Sequence, residues 1–569
     1  MSTTQSPEQR IVDTLHALYG EARNSELTER VQGIIDNHRA TQKASARPER
    51  LTERDAVLIA YGDQVTEEGE APLATLSRLL SDRLEGLISG VHILPFFPYS
   101  SDDGFSVIDY RRVSPALGTW ADIRSIAADF RLMIDAVINH ISSESEWAKA
   151  FRRGEPEHRE TFIVLDPRTD LSEVVRPRDL PLLTPVETAE GLRHVWTTFS
   201  SDQFDLNFAN PDIMMEILDL LLFYVRSGAQ IIRLDAIAYL WKQVGTRSIH
   251  MPQTHQAVKL MRAVLDSAAP GSLLITETNV PHEENLSYFG DGGDEAHMVY
   301  QFALPPLTLH TLISGDSSRL TEWATDVQAP YNNVTFFNFL ASHDGIGLRP
   351  AAEILTDEEL EALVALPARS QGDVSYRAVP GSGRSPYELN VTYLDALTDP
   401  REHPSRGVDR FLTAHAIMLA MPGLPGIYFH SLFGSRNDVD GVQRTGRARS
   451  INRQKLDLPS LMAELDVETS DRHRIFEGFA WLLRARASHE AFSPWEQSQV
   501  IDVGSEVFGL IRSSASGRRV LCLHEVAGRG SEVRGAARSG LASDLLSGDT
   551  VDAGLVRLAP YQSRWIATR

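Results

Sequence analysis

Residues 228 to 242 read GAQIIRLDAIAYLWK, an apolar run of strand-like composition that carries Arg233 and Asp235. Residues two apart on a strand project to the same face, so these two charges lie side by side. Burying them is costly unless they pair. A strand that ends in a paired carboxylate points to a working acid, and the rest of the chain supplies companions for it.

Seven further segments have the same apolar character: AVLIAY (56–61), GVHILPFFP (90–98), LMIDAVINH (132–140), SLLITET (272–278), VYQFALPP (299–306), TFFNFLASHD (335–344) and GLPGIYFHS (423–431). With QIIRLDAIAY (230–239) they make eight near-continuously apolar strands separated by helical segments, the pattern of a closed parallel barrel. The expected fold is α/β, a (β/α)8 TIM barrel over residues 54–489. A helical N-terminal extension is expected over 1–53, periodic at Ile11, Leu15, Leu18, Leu27, Val31 and Ile35, and a small C-terminal β domain over 490–569, marked by the alternating SEVFGLIRSS and RRVLCLHEV. Two connections are too long for plain crossovers: 141–205 after strand 3 and 345–410 after strand 7. Insertions at the carboxyl ends of barrel strands shape the pocket, so both are expected to carry binding groups.

With 42% hydrophobic residues among 569, the chain can bury a large core, and 77 acidic against 55 basic residues give a net charge of −22. That balance disfavours nucleic acid and anionic membranes as partners. The start, MSTTQSPEQRIVDTLHALYG, lacks the basic-then-apolar pattern of a leader. The stretch FLTAHAIMLAMPGLPGIYF (411–429) is interrupted by His415, Pro422 and Pro425, which argues against a spanning helix. A cytoplasmic protein with small-molecule partners is expected, monomeric or homodimeric. The single cysteine, Cys522, excludes internal disulfides, and its apolar strand makes it an inert core thiol.

Four strands end in DAVINH, RLDA, TETN and ASHD. One buried acid or histidine alone is usually a satisfied structural group. In a barrel, however, all four ends converge on one face, and stability requires no such cluster. The chemistry that fits is glycosyl transfer with retention, in which one carboxylate attacks the anomeric carbon and a second protonates the leaving oxygen. Asp235 suits attack, because Arg233 favours its ionised form. Glu277, with no basic neighbour in sequence, suits holding a proton. Asp344 would bind sugar hydroxyls more tightly as the ring flattens, and His140 and His343 would donate hydrogen bonds to hydroxyls.

At these segments the sequence resembles the α-amylase superfamily. The resemblance implies Asp235 as nucleophile, Glu277 as acid/base and Asp344 as transition-state stabiliser, with Arg233, His140 and His343 in the donor subsite. Within the superfamily it is similar to the sucrose phosphorylase group through HILPFFPYSSDDGFSVIDYRRV (92–113), FALPPLTLHTL and SINRQKL. That likeness implies Asp102 on the glucose 4-hydroxyl, Phe105 stacked on the ring, and Gln203 and Arg453 among the substrate-binding residues of a pocket for one glucosyl unit.

The stretches TDLSEVVRPRDLPLLTP, LASHDGIGLRP and SPYELNVTYLDAL resemble a finer branch, the glucosylglycerate phosphorylases. Sucrose enzymes usually carry glutamine where Glu388 stands. The resemblance implies α-glucoside phosphorolysis with phosphate as a substrate, no metal and no organic cofactor. A phosphate anion beside carboxylates needs cations. Arg178 and Tyr387 match phosphate-binding loop residues, Glu388 joins them at the phosphate and acceptor side, and Arg377 and Arg384 are further candidates for phosphate or the glycerate carboxylate. The alternatives are a sucrose or sucrose 6′-phosphate phosphorylase, an α-glucoside hydrolase and a non-catalytic sugar-binding barrel.

Overall fold

Eight strands close into a parallel barrel in sequence order: β1 (Val57–Ala60), β2 (Gly90–Ile93), β3 (Arg131–Ala136), β4 (Ala229–Leu234), β5 (Leu273–Thr276), β6 (Met298–Tyr300), β7 (Thr335–Asn338) and β8 (Leu424–Tyr428), with β8 paired back to β1. All eight segments read from the sequence supply one strand each. The computed structural model describes residues 5–41, 50–178, 180–379, 383–538 and 540–568. Barrel residues are buried on both faces apart from Gln230, which is why these strands read as continuous apolar runs rather than alternating ones. Gly426 in β8 makes room for the barrel filling: a Cβ there would lie 2.3 Å from the Phe337 ring.

Register carries the carboxylates to one rim. Asp135 of β3 lies opposite Arg233 of β4, which lies opposite Ile275 of β5. Beyond the strand ends the ladder continues, with Asp235 N–H donating to the Ala136 carbonyl at 3.2 Å and Glu277 N–H to that of Leu234 at 3.0 Å. Asp235 and Glu277 therefore emerge at the same height on adjacent strands.

Helices Pro7–Tyr19 and Glu21–Thr41 pack on the barrel helices Pro252–Ala268 and Pro211–Arg226. Ser6 caps the first by accepting from the Gln9 N–H, with Pro7 at the first helical position. Ile11, Leu15, Leu27, Val31 and Ile35 are buried and Leu18 is partly buried. Between β3 and Pro211–Arg226, the chain forms the hairpin Leu183–Thr188 with Gly191–Trp196, and pairs His140–Ser142 with Gln203–Asp205. After β7 it forms a three-stranded antiparallel sheet of Ile346–Gly347, Gly383–Asn390 and Asp373–Val379. A six-stranded antiparallel sheet follows the last helix, Asp471–Ala487, and its strand Arg519–Glu525 buries Cys522. Among the described residues no helix is long and apolar enough to cross a membrane.

Candidate active site

At the carboxyl rim, Arg233 sits between two carboxylates. Its Nη1 donates to Asp235 at 2.8 Å and also to Asp135, and its Nη2 lies 3.9 Å from Glu277. Asp135 is fully buried and accepts from His92 Nε2 at 2.7 Å. Burial alone would raise the Asp135 carboxyl, but Arg233 and His92 more than reverse this and hold it at about 2. Glu277 accepts from the Ala236 N–H at 2.9 Å. Ala236 itself adopts a left-handed φ of 47°, a conformation disfavoured for a residue with a Cβ.

One expectation needs correction. Arg233 does favour ionisation of Asp235, but burial, reinforced by Glu277 and Asp135, pushes the Asp235 carboxyl up rather than down. Burial is the largest cause, and the charge of Arg233, which also bonds Asp135, does not offset it. Burial also raises Glu277, with Arg233 opposing. Two adjacent carboxylates of this kind titrate as a pair that shares a proton. Arg233 bonds directly to Asp235, whereas Glu277 is held by the Ala236 N–H, and burial raises both carboxyls.

Asp344 follows β7 and meets Arg449, which also pairs Glu388. Arg453 Nη2 lies 3.7 Å from Asp344, and its Nε donates to the His343 carbonyl at 2.7 Å. Burial would raise Asp344, but the arginines Arg449 and Arg453 hold it far below the ordinary carboxylate range. The sheet edge approaches closely because residue 345 is glycine: a Cβ there would lie 2.4 Å from the Leu389 carbonyl oxygen, and the Gly345 N–H donates to Glu388 at 2.8 Å. Burial pushes His343 down to about 3, so its imidazole is neutral.

The loop after β2 supplies the next part of the rim. Asp102 (φ 55°) and Asp103 (φ 50°) are both left-handed ahead of Gly104, an arrangement that turns both carboxylates toward arginines: Asp102 accepts from Arg178 at 2.8 Å, and Asp103 pairs with Arg447 and Arg453. Phe105 stacks on His343, centroids 4.8 Å apart and planes within 7°. His140 Nε2 and Gln203 Nε2 both donate to the Phe105 carbonyl, at 2.8 and 3.2 Å. These two residues were expected to meet sugar hydroxyls. In this structure they hold the Phe105 carbonyl.

A cleft of about 460 Å³ opens between Asp102 with Arg178 on one wall and Tyr387 with Glu388 and Arg449 on the other. Tyr387 accepts from Asn279 Nδ2 at 3.4 Å. Arg377 is half-buried near Tyr387 and Tyr239, while Arg384 is exposed. Among the described residues no group of three or more His, Cys, Asp or Glu is placed to hold a metal ion. Three contributors escaped the sequence reading. Asp135 lies inside DAVINH, where a charge within the apolar run LMIDAVI could have flagged it, and Asp103 adjoins a residue already singled out. Arg449 gave no signal in its local sequence.

A closed parallel barrel with Asp235, Glu277 and Asp344 at its carboxyl rim and Arg233 beneath the first defines a retaining α-glucoside-acting barrel, and the alpha-amylase catalytic domain family model matches residues 84–348. The chain is 48% identical to the glucosylglycerate phosphorylase of Spirochaeta thermophila over 98% of both chains. It is 41% identical to that of Escherichia coli over 98% of this chain and 100% of the relative. It belongs to the glucosylglycerate phosphorylase family. Among solved structures, a sucrose 6F-phosphate phosphorylase from Thermoanaerobacter thermosaccharolyticum superposes with a TM-score of 0.72 at 25% identity, covering 83% of this chain and 94% of that one.

Proposed function

We propose that the chain catalyses reversible phosphorolysis of 2-O-α-D-glucosyl-D-glycerate to α-D-glucose 1-phosphate and D-glycerate. The observation that carries this is the 41–48% identity to three glucosylglycerate phosphorylases over nearly the whole chain.

Two displacements perform the reaction. Asp235 attacks the anomeric carbon as the bond to glycerate breaks, and Glu277 gives its proton to the departing glycerate oxygen. A β-glucosyl ester on Asp235 results. A phosphate oxygen then attacks the same carbon and releases Asp235, and the Glu277 carboxylate takes the proton that phosphate loses. Two inversions give net retention. Asp344, held charged by Arg449 and Arg453, binds hydroxyls of the flattening ring, and Phe105 supports its face. The carboxylates and substrates supply every proton and nucleophile in this scheme, so no metal or organic cofactor is called upon.

Glucose 1-phosphate release from glucosylglycerate, sucrose and sucrose 6′-phosphate, measured in parallel, tests this. Phosphorolysis of glucosylglycerate with little on the other two is expected. Activity on sucrose alone would overturn it.

A further inference from the structure

Two arginines have no part in the mechanism so far. Arg349 follows the strand Ile346–Gly347 and Arg377 lies in Asp373–Val379, the two strands that flank Gly383–Asn390. The Leu348 N–H donates to the Tyr387 carbonyl at 3.0 Å, and Arg377 lies opposite Ser385, so both arginines leave the sheet beside Tyr387. A register shift between Ser375 and Tyr376 makes Tyr387 an extra residue in its strand, a bulge that re-aims its ring. Both guanidinium groups bear on Tyr239, whose hydroxyl meets Arg349 and which lies within the field of Glu277.

These cations are poorly compensated. Arg349, with a side chain only 13% exposed, has Glu284 at 3.8 Å as its carboxylate among the described residues, and Glu284 is shared with His250 at 3.1 Å. Arg377 makes no ion pair among the described residues. Burial and the charge of Arg349 both disfavour its protonated form. Nearby, Asn279, two residues past Glu277, has a buried Oδ1 without a partner. Two half-desolvated guanidinium groups drawn together store electrostatic cost that a bound anion relieves, and their forked donors match a carboxylate.

We propose that Arg349 and Arg377 form the anion subsite that holds the carboxylate of the departing glycerate beside Glu277, a proposal that rests on the substrate assigned above. Phosphate offers the same anionic oxygens, but Arg178 on the opposite wall is available to it.

The test uses the full chain in the synthetic direction, with glucose 1-phosphate as donor and D-glycerate or neutral glycerol as acceptor. In R349Q the ratio of kcat/KM for glycerate to that for glycerol is expected to fall about ten-fold or more through a raised glycerate KM, with R377Q similar and R349K retaining part. Damage to the fold lowers both acceptors alike, so a ratio within about two-fold of wild type overturns the proposal. A KM increase confined to phosphate in phosphorolysis would also overturn it, giving the subsite to phosphate. Wild-type enzyme that uses no glycerate would sink the substrate assignment itself, a failure distinct from an unchanged ratio in an enzyme that does use it.

Discussion

Arg449 holds Glu388 through two parallel bonds, from Nε at 2.9 Å and Nη2 at 2.6 Å, while its Nη1 touches Asp344. Glu388 is 3% exposed and also receives the Gly345 N–H. One guanidinium thus ties the three-stranded sheet after β7 to a rim carboxylate. Glu388→Gln keeps the size and the acceptor for Gly345 but removes the charge. It should lower unfolding free energy by about 1–3 kcal/mol, toward the low end because the Arg449 side chain is partly exposed. Phosphorolysis should fall too, as Asp344 loses a fixed neighbour. Urea unfolding and kcat/KM indistinguishable from wild type would show the pair to be incidental.

Burial raises the Glu277 carboxyl, so its proton persists at a pH where an ordinary glutamate has lost it. Acid function is therefore retained to a higher pH than an ordinary glutamate allows and is lost as pH rises through the raised value. Phosphorolysis of glucosylglycerate should show this alkaline limb, and Glu277→Gln should abolish the limb along with most turnover. α-Glucosyl fluoride, whose leaving group needs no proton, should still glucosylate Asp235 in that variant. An alkaline limb that survives in Glu277→Gln would assign it to another group.

The barrel was legible because each strand is buried on both faces, which leaves a continuous apolar run in the sequence, and the carboxylates were legible because they interrupt those runs at their ends. Asp235, Glu277 and Asp344 needed nothing else. What escaped depends on contacts distant in sequence: Arg449 reaches Asp344 and Glu388 from more than 60 residues away, and no periodicity records that. The net effect on Asp235 also escaped, because it is set first by burial in the closed rim and then by Glu277 and Asp135 on neighbouring strands, none of which a one-strand reading weighs.

Asp135 makes a prediction in acid. Its folded-state value, about 2, lies below the unfolded value of roughly 3.9. A depressed carboxyl stabilises the fold fully above the unfolded value, and that contribution is lost as pH falls through the interval toward 2. Asp135→Asn should flatten the acid dependence of stability in this window. At neutral pH it should cost about 3–5 kcal/mol, because Arg233 keeps Asp235 as its one hydrogen-bonded carboxylate, with Glu277 more distant at 3.9 Å. Thermal unfolding of both proteins across the acid range measures this, and parallel curves would refute it.

Leu27 is fully buried where the N-terminal helices meet the barrel. Leu27→Ala should cost about 2–5 kcal/mol through the cavity it leaves. None of the residues lining the cleft comes from these helices, so activity per folded molecule should stay near wild type at low temperature while the half-life on heating shortens. A proportionate loss of kcat in the cold would mean that the extension reaches the site.

Arg178 and Asp102 form the remaining wall, joined at 2.8 Å. Burial would raise Asp102, but Arg178, then Arg449 and Arg453, hold it below the ordinary carboxylate range, ready to accept from a sugar hydroxyl. A glucosyl unit that took the oxygen of Asp102 now bonded to Arg178 would leave that arginine, whose side chain is 36% exposed, open to an incoming anion. The same arginine would then screen Asp102 in the empty enzyme and receive phosphate in the glucosylated one. Arg178→Ala should raise the phosphate KM by about ten-fold or more, with a smaller change for glucosylglycerate. Added salt should weaken phosphate binding less in the variant than in wild type, because the screened cation is gone. Equal increases in both KM values would place Arg178 with the donor instead of with phosphate.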